Sequence, residues 1–70
     1  MKTAKEMFEE LGYECINEKR LVYKKYDDFL NRFIHIAFFD NKKILITQSI
    51  DINTLQAINQ QVKELHWNEN

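Results

Sequence analysis

Proline is absent from this sequence, glycine occurs once, at Gly12, and cysteine once, at Cys15. With no stretch rich in Pro, Gly or Ser there is no candidate linker, and residues 1–70 read as a single domain. One cysteine cannot form an intramolecular disulfide, and a lone thiol fits a reducing, cytosolic compartment. Long hydrophobic runs are missing too. The longest wholly apolar stretch, Ile36 to Phe39, is far short of a bilayer span, so no membrane association is expected. An excess of charge of either sign is also absent. The formal net charge of −1 supplies no general field to draw the chain to nucleic acid or to an anionic membrane. Glu6, Glu9 and Glu10 interrupt the opening MKTAKEMFEELGY, which argues against a signal or transit peptide and for a soluble, intracellular protein.

These scarcities have structural consequences. A core of this size supplies only about 3–5 kcal/mol of net stability, and oligomerisation is the remaining source of further burial once a disulfide is excluded. Turns without Gly or Pro must be built from Asn and Asp, which tolerate left-handed backbone and cap themselves through side-chain hydrogen bonds.

What is present is strong local patterning. In TAKEMFEELG, Thr3 and Glu6 have capping-box spacing, Ala4, Met7, Phe8 and Leu11 form one apolar stripe, and Gly12 stands at the helix stop. YECI and RLVYKKY read as half-exposed strands joined by Asn17-Glu18-Lys19, and DDFLN connects to a third strand. Phe29 and Leu30 are unusual turn residues and are expected to fold back onto the domain. A closing helix, DINTLQAINQQVKELHW, has Asp51 as N-cap and Ile52, Leu55, Ile58, Val62 and Leu65 as its buried face. The opposite face then carries Thr54, Gln56, Asn59, Gln60 and Gln61, and Trp67 is expected to fold over the end of the core.

The most strongly patterned stretch is RFIHIAFFDNKKILI, residues 32–46. An odd-length loop at DNKK pairs even positions with even ones and sets Ile34, Ile36, Phe38, Ile44 and Ile46 on one side; an even-length loop mixes them with lysines. Because a slip of one residue reverses every side chain, the odd loop is preferred. A three-residue loop then places a lysine at the left-handed position that favours Gly. The order α-β-β-β-β-α with short connections favours an antiparallel meander. The expected architecture is α+β and two-layered: a four-stranded antiparallel meander sheet with the N- and C-terminal helices on one face.

The segments TAKEMFEELGYE and LQAINQQVKELHW resemble a loose group of small proteins encoded by bacteriophages and prophages of Gram-positive bacteria. In that group a "T-A-x-E-M-F-E-x-L-G-Y" helix opens the chain and an "L-x-A-I-x-x-Q-V-x-E-L-G-W" helix closes it. The match covers about a third of the chain, at its two ends. His66 replaces the glycine before the tryptophan, which weakens the expected helix stop. The resemblance implies a phage or prophage origin and a bacterial cytoplasm. It implies no activity, and the matching residues are ones already read as caps and core.

Chemistry-bearing constellations are sparse. Cys15 and His35 lie two strands apart in a meander, and no Gly-rich turn offers an oxyanion site, so a thiolate–imidazole pair is not expected. Cys15, His35 and His66 have none of the close spacings of structural zinc sites, and no phosphate-cradling motif occurs. The chain is therefore read as non-enzymatic, with no catalytic residue, metal or cofactor. Lys19-Arg20, Lys24-Lys25 and Lys42-Lys43 lie on strands or turns near Tyr13, Tyr23, Tyr26 and Phe39, a combination of cation and aromatic by which sheets hold single-stranded nucleic acid. Lysines also blunt strand edges against aggregation, and the charge balance favours that reading.

One question remains from the pattern itself. If the helices cover the even positions, Phe33, His35, Ala37, Phe39 and Leu45 lie on the far side of the sheet, with Tyr23 and Leu21 joining them in one register of the first hairpin. Burying each large apolar side chain is worth about 1.5–3 kcal/mol, more in sum than the domain's own margin. The expected cover is a second copy through a two-fold, self-complementary face, with another protein partner next. The alternative is that Phe29 and Leu30 curl back over the patch. The function expected is protein–protein interaction as a homodimer, the alternative a single-stranded nucleic-acid-binding accessory protein.

Overall fold

The computed structural model describes residues 1–68 and has the expected element order: α1 (Ala4–Glu10), β1 (Glu14–Asn17), β2 (Val22–Asp27), β3 (Arg32–Phe38), β4 (Ile44–Ile46) and α2 (Ile52–Glu64). The four strands form one antiparallel sheet in the order β1-β2-β3-β4, a meander with the helices against one face.

The ends of α1 follow from its sequence. The Thr3 hydroxyl accepts from the Glu6 N–H at 3.2 Å while the Glu6 carboxylate accepts from the Thr3 N–H at 2.9 Å. Donation from the Thr3 N–H, and from the Thr3 hydroxyl at 3.1 Å, holds the Glu6 carboxyl below its usual range. At the other end Gly12 has φ 93°, and the Tyr13 and Gly12 N–H groups donate to the Phe8 and Glu9 carbonyls at 2.9 and 3.0 Å. The same stop ends α2, with His66 at φ 60° in the glycine position and the Trp67 and His66 N–H groups donating to Val62 and Lys63. Replacing glycine thus does not prevent the stop, and Trp67 packs over Phe38 with ring centroids 6.1 Å apart.

Asn and Asp build the turns. The Asn17 side chain accepts from the N–H groups of Lys19 and Arg20, both at 3.1 Å, and Asp27 accepts from Phe29 and Leu30 at 2.9 and 3.1 Å. Both four-residue connections end in a left-handed residue, Leu21 at φ 49° and Asn31 at φ 55°. The third hairpin has the odd loop. Phe38 pairs with Ile44 and Ile36 with Ile46, and Lys42 takes the left-handed position at φ 65°.

The core sits between the sheet and the helices. Phe8 stacks on Tyr23 (centroids 4.0 Å, planes 18° apart), with Tyr13 and Phe38 edge-on at 5.4 and 6.4 Å. Ile34, Ile36, Ala57 and Ile58 complete it. The buried Tyr23 hydroxyl donates to the Gln61 side-chain oxygen at 2.8 Å.

Three expectations are corrected here. The buried arc of α2 is Thr54, Ala57, Ile58 and Gln61, whereas Ile52 and Leu55 are exposed. The helix has two neighbours, the sheet and α1. The Ala4 N–H donates to the Glu64 carboxylate at 2.7 Å, and fully buried Ala4 and Ala57 permit close approach. Contact on two sides turns the buried arc away from the apolar stripe centred on the sheet alone. Tyr23 pairs with Ile36 and belongs to the core, not to the far side, and Leu21 packs against the same core. Phe29 does not fold back: it is 95% exposed.

Candidate functional site: the open face of the sheet

The face away from the helices is built by alternation. In β2 and β3 the core takes Tyr23, Ile34, Ile36 and Phe38, so Val22, Lys24, Tyr26, Phe33, His35 and Ala37 point to the other side. In β4 Leu45 pairs with Ala37 and shares its face. Phe39 follows directly after β3, its N–H donating to the Lys43 carbonyl at 2.9 Å.

The five residues expected on this face are brought together there, but their exposures differ. Phe33, Phe39 and Leu45 are 46%, 44% and 49% exposed. His35 is half-buried, and Ala37 is buried at 7%, its methyl lying between the taller Val22 and Leu45 in register. Ala37 therefore forms the floor of the face and offers a partner little contact.

Sequence reading named Tyr26 and Lys24 as part of a cation–aromatic combination but did not place them on this face. Tyr26 meets Phe33 edge-on at 5.0 Å, and its hydroxyl donates to the Asn31 side chain. Lys24 Nζ lies 4.2 Å from the Phe33 ring centroid, a cation–π contact that also lays the lysine stem along apolar surface. The pairing of the first hairpin decides it, since a core position for Tyr23 forces Lys24 to the opposite side. Lys25 accordingly faces the helices, its Nζ 5.4 Å from the Tyr13 ring.

The remaining candidates separate. Cys15 pairs with Tyr23 and packs against the core on the helix side, whereas His35 faces the open side two strands away. No proton transfer can join them. Among the described residues no group of three or more His, Cys, Asp or Glu is placed to hold a metal ion, and no helix is long and apolar enough to cross a membrane. Arg20, on the first turn, lines a small hollow of about 140 Å³ with Phe38, Phe39 and Asp40, so the first and third turns adjoin at one end of the sheet. A more polar hollow of about 310 Å³, lined by Tyr13, Lys25, Asp27, Asp51 and Thr54 among others, opens at the start of α2.

Comparison with protein-family models, with curated proteins and with solved structures returns no match to this chain. The physical character of the open face is what bears on function.

Proposed function

We propose that this protein is a non-enzymatic interaction module that pairs with a second copy of itself through the open face of its sheet, in the cytoplasm of a bacterium hosting its phage or prophage genome. The supporting observation is the exposure of Phe33, Phe39 and Leu45 on one face, opposite the helices, with Phe29 95% exposed instead of folded over them. Three large apolar side chains half in water are a sizeable unused driving force at about 25 cal/mol per Å². A two-fold contact places each copy's aromatic residues against the other's. The test is light scattering over a dilution series: twice the 8.5 kDa chain mass is expected, with Phe39→Asp shifting it to one. A single-chain mass at every concentration overturns the reading.

A second reading has its own supporting observation. Lys24 over Phe33, with Tyr26 beside them and Arg20 near Phe39, puts cations and aromatics together on a sheet surface. It predicts retention on single-stranded DNA or RNA that falls steeply as salt rises. Absence of retention at low salt leaves the first reading alone.

A further inference from the structure

The two edges of the sheet are unlike. β1, at one edge, carries Glu14, has an irregular register between Cys15 and Asn17, and adjoins the Lys5–Glu18 ion pair, all features that discourage strand addition. β4, at the other edge, reads Ile44-Leu45-Ile46, a regular strand without a charge, whose Leu45 and Ile46 are 49% and 38% exposed.

The direction of the β4 backbone groups follows from the hydrogen bonds on its inner side. The Phe39 N–H donates to the Lys43 carbonyl at 2.9 Å, and the Thr47 N–H donates to the His35 carbonyl at 3.1 Å. Lys43 therefore turns its C=O and Thr47 its N–H toward β3, the His35 N–H donating in return to the Thr47 hydroxyl at 2.9 Å, and Leu45, paired with Ala37, shares their orientation. By alternation Ile44 and Ile46 turn their N–H and C=O groups outward, along the free edge. Two donors and two acceptors stand there in an order that is its own antiparallel complement.

We infer that β4 pairs with β4 of a second copy about a two-fold axis through Leu45, joining the two sheets into one of eight strands. Ile44 of each copy exchanges both backbone hydrogen bonds with Ile46 of the other, and the two Leu45 side chains meet on the open face. Charge supports this register. Lys43 falls opposite Thr47 of the partner copy and Lys42 opposite Gln48, so no lysine meets a lysine, whereas a shift that centres the axis on Lys43 sets two lysines face to face. On the helix side Ile46 is 38% exposed and on the open side Leu45 is 49% exposed, so the paired edge has apolar surface above and below it. The inference shares with the preceding reading the premise that the chain self-associates, but it uses a different contact and a different axis: either contact alone gives twice the chain mass, and both together give a larger assembly that each variant reduces to pairs.

Hydrogen exchange of the unmodified protein, read with light scattering, tests it. The Ile44 and Ile46 amides are expected to become at least roughly tenfold more protected as concentration rises. Ile46→Lys, and Ile46→Pro, whose missing N–H points outward and so breaks no hydrogen bond to β3, are expected to halve the assembled mass while circular dichroism stays unchanged. If Phe39→Asp keeps the full mass and Ile46→Lys halves it, the edge contact stands and the open-face contact falls. The reverse pattern overturns the edge contact and keeps the other. Fast exchange of both amides at every concentration overturns it without any variant, leaving the edge to solvent or to a strand of another protein.

Discussion

The two faces of this sheet are made by the same strands and have opposite fates. On the helix side Ile34, Ile36 and Phe38 are at most 4% exposed, Tyr23 is stacked on Phe8, and its hydroxyl is matched by Gln61. On the other side Phe33 and Phe39 alternate with those residues along the same backbone and are 46% and 44% exposed. Side-chain chemistry separates the two sets only in part, because large apolar residues stand in both: Ile34, Ile36 and Phe38 on one side, Phe33, Phe39 and Leu45 on the other. The difference lies in supply. Two short helices cover one face of a four-stranded sheet and leave nothing for the second. Even on the covered side the cover stops short of the β4 edge, where Ile46 belongs to the core stripe by register and is still 38% exposed.

Substitutions at adjacent positions break this comparison most sharply. Ile34→Asp places a charge in the core and is expected to unfold the chain, since burying an unpaired carboxylate costs several kcal/mol against a margin of about 3–5 kcal/mol. Phe33→Asp, one residue away, is expected to leave the fold intact and lower the self-association, as read by circular dichroism and light scattering. Truncation without charge is gentler. Ile36→Ala is expected to cost about 2–5 kcal/mol in urea unfolding, against about 0.5 kcal/mol or less for Leu45→Ala measured on the monomer.

The buried phenol sharpens the comparison further. Tyr23→Phe leaves the buried Gln61 oxygen without its donor and is expected to cost about 1–3 kcal/mol, much of it recovered when Gln61→Leu is added. The same group gives a pH dependence. Desolvation pushes the Tyr23 hydroxyl up to about 12 from its ordinary value of 10.0, and burial pushes Tyr13 in the same direction. A raised folded-state value means that the neutral phenol is favoured by folding. Its contribution is complete below the unfolded value and is lost as pH rises through the folded one. Unfolding midpoints are expected to fall between about pH 10 and pH 12, and the fall to be smaller in Tyr23→Phe. The smallest expected effect touches neither face. Lys42→Gly relieves a left-handed residue in the β3–β4 loop and is expected to raise stability by about 1 kcal/mol in denaturant unfolding.

Much of the fold was legible because it is local. Thr3 with Glu6, Asn17, Asp27 and Asp51 cap or turn the chain through partners two or three residues away, and each does so as its position implies. The register of β3 on β4 was legible because one slip would have exchanged isoleucines for lysines. The candidate face was legible as a set, since alternation places Phe33, Ala37 and Leu45 together. How open each residue stands was not, because Ala37 is closed in by neighbours from two other strands. Tyr26 and Lys24 were named but not placed on this face, because no local signal chose between the two registers of the first hairpin.

The scarcity of glycine illustrates the same division. It required that other residues enter the left-handed region, and Leu21, Asn31, Lys42 and His66 do so, each at the end of an element or turn. Composition demanded such positions, and the chain path chose them.

From its order of residues alone, this protein's elements, their caps, their turns and the parity of its central hairpin were determined, because each depends on neighbours a few residues apart. Only the tertiary structure decided that α2 turns Thr54 and Gln61 inward, that Tyr23 lies beneath Phe8, and that Phe29 leaves the open face bare. Those outcomes depend on where α1 and the sheet stand relative to residues up to sixty positions away, as the Ala4–Glu64 hydrogen bond shows, and no periodicity within a single segment carries that information.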